Sequence, residues 1–301
     1  MKMTLLIGQL AALSAALFWA LATLLYNRSS LHLSAAQLNL VKGMVACPLL
    51  LISLLLFGHQ LPLDPSSPAL WLLLLSGVIG ITIGDTCYFA ALRRLGPWHT
   101  ILLEYLAPPL AAVIAWVFLG EILTLLEIIA AFTVIAGVIF VLTEKRMTSV
   151  EVPGQLSRSG LAFAVTAAWC QASGLVMAFH ALQSFEVNAM QAALIRLGGG
   201  TLALTAGLLI FAPRLFKSTW GQVRKTRVLP LMSAIFMGTF LAIWLQQIAI
   251  AYVTPGIAQT LLATAPLFMI AINMLYGRGV SARALTGTLL ALLGIALLFL
   301  R

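Results

Sequence analysis

Runs of about twenty apolar residues, the length a helix needs to cross a bilayer, follow one another along almost the whole chain. No water satisfies backbone N–H and C=O groups inside lipid, so such a run must close its own hydrogen bonds and become a helix. Polar or Gly/Pro-marked breaks delimit ten of them, at 5–25, 36–57, 69–92, 98–119, 123–142, 160–180, 189–212, 229–250, 256–276 and 283–300. No interval between them is long enough for a water-soluble domain. The expected fold class is therefore all-α integral membrane, with ten transmembrane helices. Composition agrees, with 62% hydrophobic and only 8% charged residues, where a soluble chain carries about 25% charged residues to solvate its surface. A cytosolic enzyme, a nucleic-acid-binding domain and a disordered protein are excluded.

The net charge of +9 would suit a polyanion binder, but its distribution points to membrane topology instead. Loops after odd-numbered spans hold Arg28; Arg93 and Arg94; Lys145, Arg146 and Arg158; Arg214, Lys217, Arg224, Lys225 and Arg227; Arg278 and Arg283. Those thirteen face only Lys2 and Arg301 in the termini and the other loops. By the positive-inside rule the Arg-rich loops are cytoplasmic and both termini extracytoplasmic, as in a multi-pass protein of the bacterial inner membrane. Lys2 before an apolar run, with Ala20-Leu21-Ala22 after it, imitates a signal peptide. The stretch is long for one, however, and contains Phe18 and Trp19, so it reads as a retained first span. Cys47, Cys87 and Cys170 form no CxxC pair and lie in apolar runs, where free thiols pack.

The chain repeats itself. Pro97 and Pro108 bracket the start of the fourth span in GPWHTILLEYLAP, and Pro255 and Pro266 bracket TPGIAQTLLATAP in the ninth with the same separation. Gln37…Lys42 in the second span matches Gln191…Arg196 in the seventh, and FWALAT around Trp19 matches AWCQAS around Trp169. This divides the chain into a first five-helix repeat at 1–147, a polar linker at 148–159 and a second repeat at 160–301. An odd number of spans per repeat forces the second copy to enter the membrane upside down. Inverted repeats of this kind are a transporter architecture, with the substrate site near the midplane between the halves.

Four ionisable side chains lie well inside spans: Lys42, Asp85, Glu104 and Arg196. A charge at that depth costs on the order of 3 kcal/mol by insertion scales, so each should face protein or water and have a partner. Their formal sum is zero. Lys42 paired with Asp85 or with Glu104 is one arrangement, either a fixed structural pair or part of a coupling device. An acid at this depth can exchange protons with a counter-moving substrate; Glu104 is the first candidate and Asp85 the reserve. For Arg196 the plain alternative is snorkelling to the interface. The cavity wall is assigned to Trp19, Tyr88, Trp169 and Trp244 with Gln247, an aromatic surface carrying a few polar groups. Interhelical glue is the alternative for Gln171, Gln246, Gln247, Gln259 and Asn273.

Enzyme motifs are missing. His32, His59, His99 and His180 are scattered, and the chain has no HExxH, no GxSxG and no GxxxxGK phosphate loop. Ile83-Gly84-Asp85 matches part of an intramembrane aspartyl-protease motif, but Thr82 replaces the preceding glycine and no second matching aspartate follows. An integral-membrane enzyme and a passive channel are the alternatives to a transporter. No metal or cofactor is expected.

Taken together, ALFWALAT, NLVKG, GDTCYFAALRRLGP, LAPPLAAVIAWVFLGE and AGVIFVL, with AAWCQAS, LIRLGGG and LLGIALLFL in the second copy, resemble the drug/metabolite transporter superfamily in its EamA-like branch. The resemblance covers essentially the whole chain. It implies a basket of spans 1–4 and 6–9 around a central cavity, with spans 5 and 10 peripheral. It also implies export of small metabolites, amino acids or drug-like amphiphiles. With no ATP site, transport would be secondary, by alternating access in a monomer or homodimer among membrane lipid, driven by exchange or by an ion gradient with protons as the candidate ion. One departure is that the Leu119–Glu121 motif is echoed only by Tyr276–Gly279, so Glu121 has no symmetric partner. Another is that the first span holds no acid, so the coupling glutamate of the small multidrug-resistance relatives has no counterpart there.

Overall fold

The computed structural model describes residues 2–29, 31–60, 64–119, 124–143, 157–253, 261–277 and 279–298, and the regular elements among them are all helical. They are α1 (Lys2–Ser29), α2 (Ala35–Leu56), α3 (68–95), α4 (97–119), α5 (Leu125–Leu142), α6 (Arg158–Ser184), α7 (Ala189–Phe211), α8 (Pro213–Lys225), α9 (228–252), α10 (Ala265–Leu275) and α11 (Ala282–Leu298). All but α8 correspond to the ten spans, in two inverted repeats of five. Most of the linker at 148–159, together with Glu121, Pro255 and Gln259, lies outside the described residues.

Helix α3 and helix α4 join with no loop. Gly96 has φ of 76° and ψ of 172°, a backbone conformation open to glycine, and it reverses the chain. Pro97 then opens α4, where a missing N–H is harmless. Pro108 leaves the carbonyl of Glu104, four residues earlier, without its helical donor. The chain answers with a single 3₁₀ turn, Glu104–Leu106, in which the Ala107 N–H donates to that carbonyl. Pro266 stands in the first turn of α10, where a missing N–H is harmless, and just before it the Thr264 hydroxyl and N–H both donate to Leu261 O at 2.6 and 3.1 Å.

The inverted repeat is visible in matched local devices. Ser34 caps α2 and Asn188 caps α7, each in a reciprocal box with the glutamine three residues on, Gln37 or Gln191. Both glutamines also reach into the opposite half: Gln37 Nε2 donates to Leu215 O and Ser218 Oγ on α8, and Gln191 Nε2 donates to Gln60 O. Both α3 and α9 are wound as π-helix in mid-span, at Val78–Asp85 and Phe236–Leu241. On α3 the loosened ladder is tied down by Asn39 of α2, whose Nδ2 donates to Ile81 O and Thr86 Oγ1, both at 2.8 Å.

Glycines set how closely the halves meet. A Cβ on Gly174 of α6 would lie 3.2 Å from Gly80 Cα on α3, and one on Gly200 of α7 would lie 2.7 Å from Gly77 O. Side-chain hydrogen bonds cross the same contacts, from Ser76 to Gly174 O and from Thr82 to Gly200 O, both at 2.6 Å. Apart from the basket, α5 and α11 pack on one another: a Cβ on Gly137 would meet Ala291 N at 2.7 Å, and one on Gly294 would meet Val134 N at 2.7 Å. Their outward sides carry exposed Phe132, Ile139, Leu289 and Leu293, the surface expected to face lipid.

Helix α8 is an addition to the ten spans. PRLFKSTWGQVRK carries Arg214, Lys217, Arg224 and Lys225 and no acid, with Trp220 exposed. Leu215 and Phe216 pack beside Leu40 of α2 and Leu204 and Leu208 of α7. Such a helix lies in the interface plane rather than across the membrane.

Candidate functional site

A cavity lies between the two halves and has two lobes. The first is bounded by α1, α2, α3, α6, α7 and α9. The second lies between α1, α4, α6, α9 and α10. Trp19, Gln171 and Gln246 border both lobes and form the partition between them.

The first lobe is charged. Lys42 of α2 and Asp85, the last residue of the α3 π-segment, form a salt bridge, with side chains 5% and 15% exposed. Lys42 Nζ also sits 5.3 Å from the Phe89 ring centroid, so the ammonium is held by an acid and an aromatic face together. Asp85 is thus the acid that Lys42 selects; no ion pair joins Lys42 to Glu104. Arg196 of α7 lines the same lobe and is 2% exposed. That corrects the snorkelling alternative: the side chain turns to the centre of the protein because Gly77 and Gly80 let the α3 backbone lie against α7 there.

Aromatic and hydroxyl groups complete the wall. Trp19 meets Tyr88 edge-on, with ring centroids 6.5 Å apart, and Tyr88 Oη bonds Thr23 Oγ1 at 2.6 Å. Tyr26 Oη bonds Thr239 Oγ1 at 2.7 Å, joining α1 to the α9 π-segment. Tyr26, Thr23, Thr239, Gln171 and Gln246 were not singled out for the wall from sequence. The available signal is their spacing from other lining residues, since Trp19, Thr23 and Tyr26 fall on one helical face.

The second lobe is mostly apolar and contains Glu104 and Tyr105. Pro108 and Pro266, the matched prolines of the two repeats, both border it, so the two proline elements face the same space. Among the described residues no salt bridge is made by Glu104.

Two tryptophans stand elsewhere than expected. Trp169 is 45% exposed and borders neither lobe. Gln171, two residues on and so about 200° round the helix, takes the inward face, because Gly174 on that side is held against Gly80. The expected symmetric pair of Trp19 and Trp169 is therefore corrected to Trp19 alone. Trp244 turns toward Phe57, just past the end of α2, and Phe240, with ring centroids at 5.8 and 6.1 Å, while Ile243 and Gln246 take the cavity face of α9. Gln247 is fully buried, borders neither lobe, and its amide nitrogen and oxygen have no partner among the described residues. Among those residues no group of three or more His, Cys, Asp and Glu is placed to hold a metal ion.

Comparison with known proteins bears on the whole arrangement. No curated protein is similar enough to this chain to count as a match. The crystal structure of another protein, 18% identical, superposes with a TM-score of 0.67 over 97% of this chain and 96% of its own, which establishes the shared fold. The sequence matches the EamA-like transporter family twice, over residues 6–143 and again over 158–300. Two family matches, one per inverted repeat and together spanning the cavity from both sides, make this chain a member of the EamA-like transporter family, membrane transporters of small solutes.

Proposed function

We propose that the protein is a secondary active exporter of small metabolites, amino acids or drug-like amphiphiles, working by alternating access around the two-lobed cavity. The observation that carries this reading is the partition of Trp19, Gln171 and Gln246, contributed by both repeats and shared by both lobes. Rocking one repeat against the other about a site built this way opens one lobe while closing the other. In this reading the charged lobe orients the polar end of the substrate, and Trp19 and Tyr88 cover its apolar body. Glu104, in the other lobe and outside the Lys42–Asp85 pair, is the proton carrier. Thirteen Lys and Arg on one side support cytoplasmic Arg-rich loops, extracytoplasmic termini and residence in a bacterial inner membrane.

Purified protein in proteoliposomes tests the reading. Thermal-shift screening against amino acids, polyamines, cationic drugs and organic acids selects a ligand, and flux of that ligand is then followed with and without an imposed pH gradient. Accumulation against its own gradient is expected. Flux that only ever runs down the substrate gradient, indifferent to pH, makes the protein a passive channel. A fluorescent cytoplasmic reporter fused after Arg301, with a silent periplasmic one, overturns the orientation.

A further inference from the structure

Each repeat delivers one cation to the first lobe from the same position. Lys42 lies five residues after Gln37 of one capping box, and Arg196 five residues after Gln191 of the other. The acids do not follow that symmetry. Asp85 lies five residues after Gly80 in the α3 π-segment; five residues after Gly238 in the α9 π-segment stands Ile243. Both Asp85 and Ile243 line the lobe. Among the residues lining the lobe there are two buried cations and one carboxylate; that carboxylate is bonded to Lys42 and reaches Arg196 only as a through-space charge.

Arg196 is the cation left over. It is 2% exposed, its Nε has no hydrogen-bond partner among the described residues, and no salt bridge joins it to Glu104 across the partition. Beside the guanidinium α3 presents Gly80, whose absent Cβ would lie 3.5 Å from Nη2, so no side chain fills that place. A buried charge needs a counter-ion, and among the described residues none lies within salt-bridge reach of Arg196.

We propose that Arg196 is the recognition residue for a carboxylate on the transported substrate, which supplies the negative charge that the second repeat lacks. A guanidinium offers planar, paired donors matched to a carboxylate. The charge count selects the class: with Asp85 engaged, the lobe carries one surplus positive charge, which a monocarboxylate neutralises and a phosphate, at about −1.5 to −2, overshoots. The proposal rests on the transport reading for its site and refines it to substrates with one carboxylate and an apolar body against Trp19 and Tyr88.

The test is binding to the full-length protein in detergent, read by calorimetry and thermal shift. The probes are aliphatic and aromatic monocarboxylates and amino acids, each beside its neutral amide, with inorganic phosphate alongside. At least one carboxylate should bind more tightly than its amide by roughly tenfold or more. Arg196→Gln should erase that preference, and Arg196→Lys should restore part of it. Ile243→Asp, which keeps the arginine and adds the missing acid, should also erase it, so the test survives if Arg196→Gln does not fold. The proposal is overturned if no carboxylate outbinds its amide, if phosphate binds best, or if the preference persists in both Arg196→Gln and Ile243→Asp. Carboxylate binding without accumulation in proteoliposomes defeats the transport reading and leaves the site; accumulation of solutes with no acid preference does the reverse.

Discussion

Gly77 of α3 rests directly against the carbonyl group of Arg196 on α7, so close that a Cβ at residue 77 would overlap the oxygen. The contact joins the first repeat to the second at the residue whose guanidinium lines the cavity and makes no salt bridge among the described residues. Nothing in it can yield easily, because both partners are backbone. Gly77→Ala is expected to lower stability by about 1–3 kcal/mol through overpacking and to weaken ligand binding as α7 is pushed away. Gly198→Ala on the same helix has no neighbour within 4 Å, so it should be neutral or stabilise by up to about 1 kcal/mol through helix propensity. Thermal unfolding of the two variants in one detergent measures the contrast; equal losses would show that close approach at Gly77 is not what matters.

Lys42 and Asp85 are expected to behave as a unit. Removing one partner leaves a buried charge alone, at about 3–5 kcal/mol, so Lys42→Met and Asp85→Asn should each unfold more readily than the parent. Lys42→Met/Asp85→Asn removes both charges and should regain most of that loss. The double-mutant cycle, read by thermal unfolding, should give a coupling on the order of 1 kcal/mol or more, within the range for residues sharing one ion pair. Additive losses would mean that the two side chains act separately.

The spans were legible because lipid leaves a chain few choices: twenty apolar residues must be helical, and loops fall where polarity and Gly-Pro pairs allow them. The proline element was legible for the same kind of reason, since Pro108 disarms one defined carbonyl and Pro266 suits the first turn of a helix. Azimuth was not legible. Sequence gives a residue's height along a span, but which side it turns depends on neighbouring helices, and these are set by glycine contacts such as Gly80–Gly174. That is why Arg196 proved central and Trp169 peripheral. The π-segments escaped for a related reason, since their loosened backbone on α3 is supported by Asn39 from another helix. A search for apolar runs also passes over α8, whose apolar face is only one side of a basic helix.

The placement of the tryptophans gives a paired expectation. Trp19 borders both lobes, and Trp169 borders neither. Trp19→Ala should weaken substrate affinity several-fold to about tenfold, the scale of a lost aromatic contact of about 0.5–1.5 kcal/mol. Trp169→Leu should leave affinity unchanged. Isothermal binding of one transported ligand to both variants measures this. A larger loss at Trp169 would place the substrate path outside the two lobes.

Glu104 provides the sharpest test of coupling. The 3₁₀ turn forced by Pro108 begins at this residue, and the side chain borders the second lobe without a salt bridge among the described residues. Because Lys42 is engaged by Asp85, a proton leaving or joining Glu104 does not break the pair that ties α2 to α3. A carboxyl so placed can change charge during transport at little structural expense, whereas Asp85 cannot. Glu104→Gln should therefore fold with near-parental thermal stability and still exchange labelled substrate across proteoliposome membranes. It should no longer accumulate substrate when a pH gradient is imposed. Were Glu104 only a structural group, the same substitution would lower stability and depress both modes of transport together. A well-folded Glu104→Gln protein with parental proton-driven accumulation would remove Glu104 as the carrier, and Asp85→Asn in the Lys42→Met background would then be the variant to measure, since there the acid is replaced without stranding the lysine.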